Sequence, residues 1–121
     1  MPIRKILVVD DSPVERLALQ EVLGRNGYQV LTAENGEQAI ARSRSDHPDL
    51  ILMDVVMPGM NGYQATRTIT RDEATRDIPV IMCTSKGQET DKIWGMRQGA
   101  NDYLVKPIDV SALLAKIAAL G

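Results

Sequence analysis

The apolar residues of this chain are concentrated in five short runs that have the composition of β-strands. In chain order they are KILVV (5–9), YQVLTA (28–33), DLILMD (49–54), PVIMC (79–83) and the weaker DYLV (102–105). The first, third and fourth runs are continuously apolar, whereas a strand with one face in solvent alternates apolar and polar residues. This pattern predicts strands of a parallel sheet that is covered on both faces.

Segments with helical periodicity follow each of these runs. The clearest begins at residues 12–15, where SPVE has the form of a capping box with proline at the first helical position. The predicted buried stripe of this helix consists of Val14, Leu17, Ala18 and Val22. Gly27 is a suitable stop, because glycine is the usual residue just past a helix end.

Four more helices are predicted further along the chain. Asn35 can cap the second and Asn61 the third, while Asp109 can cap the fifth. The fourth is expected to run from about Gln88 to Gln98. The apolar positions are Ala39 and Ile40 in the second helix, Tyr63, Thr66 and Ile69 in the third, and Leu113, Leu114, Ile117 and Leu120 in the fifth.

A strand followed by a helix is therefore repeated five times. Such alternation predicts an α/β fold with a parallel sheet between two layers of helices. No linker, low-complexity tract or internal repeat interrupts it, and the sequence ends directly after the fifth helix. We therefore expect a single domain over residues 1–121, with no separate output domain.

The composition excludes several classes of protein. Hydrophobic residues make up 44% and charged residues 25%, which is typical of a globular domain. A net charge of −2 gives no reason to expect nucleic acid or an anionic membrane as a partner. No signal region or membrane-length apolar run occurs, so we expect a cytoplasmic protein. The single cysteine, Cys83, is expected to be a small buried apolar residue.

Polar side chains follow four of the five predicted strands. Asp10 and Asp11 follow the first strand and Asp54 ends the third. Thr84 follows the fourth strand and Lys106 the fifth. In open α/β sheets, ligands bind beyond the carboxyl ends of the strands, where the strand order reverses. We therefore expect these side chains to share one site.

The three carboxylates of this set indicate a hard metal cation. Two carboxylates about 4 Å apart repel each other by about 4 kcal/mol at an effective dielectric constant of 20, and a cation relieves that repulsion. Oxygen ligands suit Mg²⁺ or Mn²⁺. Zinc would require cysteine or histidine, and the single cysteine and single histidine are not placed for it. Taken alone, each aspartate could be a helix cap and Lys106 a solvated lysine.

A carboxylate beside a metal can attack phosphorus and form an aspartyl phosphate. In this interpretation Asp54 is the nucleophile, while Asp10 and Asp11 hold the metal. Lys106 and Thr84 would then meet the phosphoryl oxygens. The sequence contains no P-loop or dinucleotide fingerprint and leaves little room for a separate substrate pocket. The chain therefore has the features of a phosphate acceptor that is itself the substrate.

The sequence resembles the receiver domains of bacterial two-component response regulators over essentially its whole length. The resemblance rests on VVDDS, LILMDVVMPGMNGYQATR, IPVIMCTSK and GANDYLVKP, in this order and spacing. It implies a flavodoxin-like (βα)5 three-layer sandwich with strand order 2-1-3-4-5. It also implies a cytoplasmic phosphorelay in which a histidine kinase is the phosphodonor.

Within the family, DVVMPGMNGYQATR and TSKGQETDKIWGMRQGANDYLVKP resemble PilH-type stand-alone receivers of twitching-motility and pilus chemotaxis systems. This resemblance implies a motility or pilus-machinery protein as the effector. It gives no reason to expect a nucleic-acid or membrane partner. Because no effector domain follows, a monomer is expected.

The resemblance assigns a role to each candidate position. Asp54 resembles the phosphorylated aspartate, and Asp10 and Asp11 resemble the acidic pair that binds Mg²⁺. In receivers the residue two positions after the phosphorylated aspartate, here Val56, gives its backbone carbonyl to the metal. Thr84 resembles the switch hydroxyl.

The remaining positions concern the switch. Tyr103 resembles the switch aromatic and Lys106 the lysine of the site, and the Lys106–Pro107 peptide bond is expected to be cis. On phosphorylation Thr84 would move toward a phosphoryl oxygen, and Tyr103 would turn inward. Lys86 is expected near the mouth of the site, where it would attract a phosphodonor unless it is simply a solvated lysine.

The face formed by the fourth helix, fifth strand and fifth helix is the output surface that the resemblance implies, with Trp94 and Tyr103 as candidate members. Trp94 would be a partner contact, since tryptophan is enriched at interface hot spots. The alternative is a boundary residue that packs on the fifth helix. In either case Trp94 would lie at the edge of the buried stripe if Ile93, Arg97 and Ala100 point at the sheet.

The leading hypothesis is a phosphorylation-switched binding module, which is not a turnover enzyme. One alternative is a phosphate sink that drains a shared kinase, and another is an unphosphorylated scaffold. A small Mg²⁺-dependent phosphatase with an aspartyl-phosphate intermediate is a further class. HAD hydrolases share that chemistry but place two acids two positions apart after the first strand, whereas Asp10 and Asp11 are adjacent here.

Overall fold

The computed structural model describes residues 2–85 and 89–121, with the side chains of residues 89–92 left out. Strands and helices alternate throughout this part of the chain, as predicted. The elements are β1 (Lys5–Val9), α1 (Pro13–Arg25), β2 (Gln29–Ala33), α2 (Gly36–Asp46), β3 (Leu50–Asp54), α3 (Gly62–Arg71), β4 (Val80–Thr84), α4 (Glu89–Arg97), β5 (Asp102–Val105) and α5 (Val110–Leu120). The predicted start of the fourth helix, Gln88, lies outside the described residues.

The strands form one parallel sheet in the order β2-β1-β3-β4-β5, which confirms the predicted flavodoxin-like topology. The order reverses at β1, where the chain first leaves toward β2 and later returns to β3. Val9 pairs with Met53 across β1 and β3. The residues that follow this pair, Asp10 and Asp54, therefore lie side by side at the carboxyl edge of the sheet.

The two faces of the sheet bury separate apolar cores, because successive strand residues point to opposite faces. One core contains Leu7 and Met53 with Ala65 and Ile69 of α3. The other contains Ile6, Val8, Leu23, Leu52, Leu113 and Ile117, and so lies under α1 and α5. The three-layer sandwich expected from the sequence is thus present. No helix among the described residues is long and apolar enough to cross a membrane.

The predicted buried stripe of α1 is wrong. Val14 is 78% exposed and Leu17 is 56% exposed, whereas Leu23 is fully buried and Leu19 packs against the same core. Arg16 lies on the same face of the helix as Leu19 and Leu23, since residues three and four apart share a helix face. Its guanidinium donates to the backbone carbonyl of Asp10 at 2.7 Å, a contact that is compatible with the burial of Leu23.

The capping box expected at the start of α1 is only half formed. The Ser12 hydroxyl accepts from the backbone N–H of Glu15 at 3.3 Å, as expected of an N-cap. The return bond is absent, because the Ser12 N–H donates to Asp10 at 2.9 Å and the Glu15 carboxylate binds Lys106. Asn35, Asn61 and Asp109 cap α2, α3 and α5 as predicted.

Candidate functional site

Three carboxylates meet at the carboxyl edge of the sheet. Asp10 follows β1 and is 2% exposed, Asp54 ends β3 and is 6% exposed, and Asp11 is exposed. One oxygen from each lies within 4.8 Å of the others. The three acidic residues that were predicted to share one site therefore lie together. Asp10 and Asp54 are buried, and Asp11 is open to solvent.

Lys106 neutralises part of this charge from the loop after β5. Its ammonium donates to Asp10 Oδ2 at 3.0 Å and to Asp54 Oδ1 at 3.1 Å. A third bond, of 2.8 Å, goes to Glu15 Oε2 in the first turn of α1. An ammonium has three N–H donors, so each donor of Lys106 is directed at a different carboxylate.

The pKa values of Asp54 and Lys106 are both raised, for different reasons. Burial raises the pKa of Asp54 to about 6; the Lys106 hydrogen bond opposes this shift, and the charges of Asp10 and Asp11 add to it. Burial also disfavours the Lys106 ammonium, but its bonds to Glu15, Asp10 and Asp54 outweigh that effect and raise its pKa above the usual range. Lys106 is therefore a permanent positive charge at neutral pH.

The backbone around Asp10 fixes the acidic group in place. Asp10 Oδ1 accepts from the N–H of Ser12 at 2.9 Å, while its carbonyl accepts from Arg16. Beside it the surface has an open depression lined by Asp11, Glu15, Asp54, Val56, Ser85, Lys106 and Pro107. The site is thus a preorganised edge that faces solvent, with space next to the Asp54 carboxylate.

The donor set fits a hard divalent cation. Asp10, Asp11 and Asp54 offer carboxylate oxygens that lie within 4.8 Å of one another, and Mg²⁺ binds carboxylates while keeping several waters. Val56 lies at the same depression, where its backbone carbonyl would be available. Cys83 is no competing ligand, because its thiol is buried and burial raises its pKa to about 12.

Thr84 and the loop after β5 complete the edge. Thr84 is 1% exposed at the end of β4, and its carbonyl accepts from the backbone N–H of Lys106 at 2.7 Å. The Lys106–Pro107 peptide bond is cis, the conformation that the resemblance implied. Lys86, expected near the mouth, lies outside the described residues.

The candidate output surface is only partly as expected. Trp94 is 51% exposed on α4, whereas Tyr103 is 4% exposed and belongs to the core, so Tyr103 does not form part of the surface in this conformation. The condition that Ile93, Arg97 and Ala100 all point at the sheet is not met, because Ile93 and Arg97 are exposed and only Ala100 is buried. Gly95 faces the sheet instead, since a Cβ there would lie 3.5 Å from Met82.

The sequence pattern does not predict the site contacts of Glu15 and Arg16. It places Glu15 only in a capping box and gives Arg16 no role. The Glu15 contact spans 91 residues and the Arg16 contact reaches a backbone atom, and local periodicity indicates neither.

Gly62, at the start of α3, is required for the shape of the site, because a Cβ at this position would lie 2.9 Å from Val55 Cα and still closer to the carbonyl of Asp54.

Comparison with known proteins agrees with this geometry. A family model described as the response regulator receiver domain matches residues 6–118. The chain is 56% identical to protein PilH of Pseudomonas aeruginosa over 116 residues, which are 96% of each chain. It is 44% identical to the phosphate regulon transcriptional regulatory protein PhoB of the same organism over 97% of its own length, and spans 51% of PhoB.

The fold has close relatives among solved structures. The chemotaxis protein CheY4 of Vibrio cholerae superimposes with a TM-score of 0.92 at 31% sequence identity. The match covers 98% of this chain and 99% of CheY4. The likeness therefore extends over nearly the whole chain, from β1 into α5.

Proposed function

Because this chain belongs to the response regulator receiver family and is a homologue of PilH, we propose that it accepts a phosphoryl group on Asp54 in a phosphorelay. The observation that carries the proposal is the environment of the Asp54 carboxylate. It is nearly buried, lies 3.1 Å from the Lys106 ammonium and shares a cation-sized space with Asp10 and Asp11. A lone buried carboxylate would be costly without such partners.

The proposed step transfers a phosphoryl group from a phosphohistidine of a kinase. A carboxylate oxygen of Asp54 attacks phosphorus, the new O–P bond forms as the P–N bond breaks, and the electron pair of that bond leaves with the imidazole. Lys106 places positive charge where the phosphoryl oxygens come to lie. Mg²⁺, held by Asp10, Asp11, Asp54 and the Val56 carbonyl, would supply further charge neutralisation when bound.

The proposed readout is a change in population between two conformations. The phosphoryl group would favour the conformation in which the Thr84 hydroxyl reaches one of its oxygens. Thr84 ends β4, and Tyr103 and Trp94 lie on the neighbouring β5 and α4. Since Tyr103 is already inside the core, the proposed change concerns how α4 and β5 pack around it.

The partners we propose follow from the family and from the PilH relationship. They are a histidine kinase as phosphodonor and a motility or pilus-machinery protein as effector, met at the surface around Trp94. We propose a cytoplasmic monomer without nucleic-acid or membrane partners. The single-domain organisation over residues 1–121 stays a prediction.

The test is intact-mass measurement after incubation with Mg²⁺ and a small acyl phosphate. We expect one phosphoryl group on the wild type, none without Mg²⁺ and none on Asp54→Asn. Asp49→Asn is a matched control, because Asp49 is an aspartate at the opposite end of β3 whose carboxylate binds the backbone of Lys5. An adduct that persists in Asp54→Asn would refute the proposal.

Added phosphoesters separate the receiver from an aspartyl-phosphate phosphatase. A receiver consumes one phosphodonor per phosphorylation cycle of its own aspartate and does not turn over phosphoesters. Catalytic release of phosphate from several phosphoesters would identify a hydrolase. A change in affinity for the effector on phosphorylation would separate a switch from a phosphate sink, which needs no effector.

A further inference from the structure

Glu15 is the one partner of Lys106 that the proposed phosphoryl transfer does not use. Its Oε2 accepts from the ammonium at 2.8 Å, against 3.0 Å for Asp10 and 3.1 Å for Asp54. The Glu15 side chain is 48% exposed, whereas the side chains of Asp10 and Asp54 are 2% and 8% exposed. The ammonium therefore lies between a buried acidic pair and an outer carboxylate.

The backbone holds Glu15 at a fixed place relative to Asp10. Glu15 is the third residue of α1, and its N–H donates to the Ser12 hydroxyl, while the N–H of Ser12 donates to Asp10. Arg16, the next residue, binds the Asp10 carbonyl at 2.7 Å. The start of α1 is thereby tied to the acidic group, so the Glu15 carboxylate is presented at the outer edge of the site.

This arrangement matters because the ammonium binds two of the carboxylates that a metal would need. Lys106 binds one oxygen of Asp10 and one of Asp54, and both carboxylates belong to the group that fits a divalent cation. A cation that enters is repelled by the ammonium and competes with it for the negative charge of the same two carboxylates. Glu15 offers the ammonium an acceptor outside that group.

We propose that Glu15 is a positioning residue that holds the Lys106 ammonium at the outer edge of the site while Asp10 and Asp54 bind Mg²⁺. Glu15 thereby raises the affinity of the site for Mg²⁺. This inference rests on the function proposed above. Without the Glu15 carboxylate, the ammonium retains Asp10 and Asp54 as partners and opposes the metal more strongly.

The first test is calorimetric titration of Mg²⁺ into the full chain, with no phosphodonor present. We expect Glu15→Gln to weaken Mg²⁺ binding about fivefold, the size of effect that a partly screened charge gives. Glu34→Gln is the matched control, because Glu34 pairs with Arg16 at 3.7 Å and is 65% exposed. Glu34→Gln removes the same charge as Glu15→Gln, but Glu34 does not contact Lys106. The Mg²⁺ affinity of this control should therefore change less than twofold.

A double-mutant cycle with Lys106→Met tests whether Glu15 acts through the ammonium. In the Lys106→Met background, Glu15→Gln should change the Mg²⁺ affinity by less than about twofold. An equal loss in both backgrounds would show that Glu15 acts only as a distant charge, and would overturn the inference. Glu15→Asp should recover part of the affinity that Glu15→Gln loses.

The outcomes separate this inference from the proposed function. Equal Mg²⁺ affinities of wild type and Glu15→Gln would overturn the inference alone. Wild type that binds no Mg²⁺ would overturn both. Thermal melting of each variant shows whether it is folded, and because Glu15 is half exposed, Glu15→Gln should melt within a few degrees of wild type.

Discussion

The Asp54 carboxylate and the Lys106 ammonium lie 3.1 Å apart, although 52 residues separate them in the sequence. Asp54 ends β3 and Lys106 follows β5, and the two strands lie on either side of β4 in the sheet. The contact is therefore a product of the strand order, and it exists only in the folded chain. The contact places the nearly buried Asp54 carboxylate beside the permanently charged Lys106 ammonium. This affects both the stability of the fold and the reactivity of Asp54.

The Asp54 charge is expected to lower the stability of the metal-free protein at neutral pH. The pKa of Asp54 is about 6 in the folded state, against 3.8 for an aspartate in the unfolded chain. Between these pH values the folded state binds more protons than the unfolded state, so the free energy of unfolding falls as pH rises. We expect Asp54→Asn to be more stable than wild type by about 1–2 kcal/mol at pH 7.5.

Urea unfolding at pH 7.5 and pH 4, with a chelator present, measures this difference. The advantage of Asp54→Asn should shrink toward zero at pH 4, because wild-type Asp54 is then protonated in the folded state. An advantage of equal size at both pH values would contradict this explanation, as would a less stable variant at pH 7.5.

Gly62 is expected to tolerate no side chain. A Cβ there would overlap the carbonyl of Asp54, so the β3–α3 loop would have to move. We expect Gly62→Ala to lose about 3 kcal/mol of stability. Gly24→Ala is the control, since a Cβ at Gly24 meets nothing within 4 Å, and alanine in α1 should add about 0.5–1 kcal/mol. Equal effects of the two substitutions in urea unfolding would refute the close contact.

The orientation of α1 predicts a large contrast between two leucines of the same helix. Leu23 is fully buried, and Leu23→Ala should cost about 3 kcal/mol of stability. Leu17 is 56% exposed, and Leu17→Ala should change stability by about 0.5 kcal/mol or less. Chemical denaturation of both variants measures the contrast, and a costly Leu17→Ala would mean that the helix faces the sheet as the periodicity first predicted.

The Thr84 hydroxyl is expected to be needed for the response to phosphorylation but not for phosphorylation itself. Thr84→Ala should still accept a phosphoryl group on Asp54, because the nucleophile, Lys106 and the acidic pair are intact. Its Trp94 fluorescence should respond less than that of wild type, while Thr84→Ser, which keeps the hydroxyl, should respond normally. A wild-type change of Trp94 fluorescence in phosphorylated Thr84→Ala would show that the Thr84 hydroxyl does not couple Asp54 phosphorylation to Trp94.

The sequence was sufficient to predict the strands, most helix caps and the acidic group. Continuous apolar runs indicate strands covered on both faces, and polar residues after those strands must meet when the sheet is parallel. The order of the strands came from the resemblance, because pattern alone does not order a sheet. The groups at the carboxyl edge are thus predictable from chain position alone.

The errors concern contacts that helical periodicity does not indicate. In α1, two apolar stripes are compatible with that periodicity, and the stripe of Leu19 and Leu23 is the one that packs against the core of the sheet. Glu15 was assigned to a local cap, but a lysine 91 residues away is the partner it binds. The ammonium is the stronger partner for the carboxylate, because both groups of that pair are charged, whereas a backbone N–H is neutral.

Locating the phosphoryl group on the chain tests the central claim most directly. The protein is incubated with Mg²⁺ and a small acyl phosphate, and the aspartyl phosphate is reduced with borohydride, which converts the modified aspartate to homoserine. Peptide mass spectrometry then identifies the position. We predict homoserine at position 54 and unmodified aspartate at Asp10 and Asp11. Homoserine at position 10 or 11, or at no position in folded protein, would contradict the assignment of Asp54 as the phosphoryl acceptor.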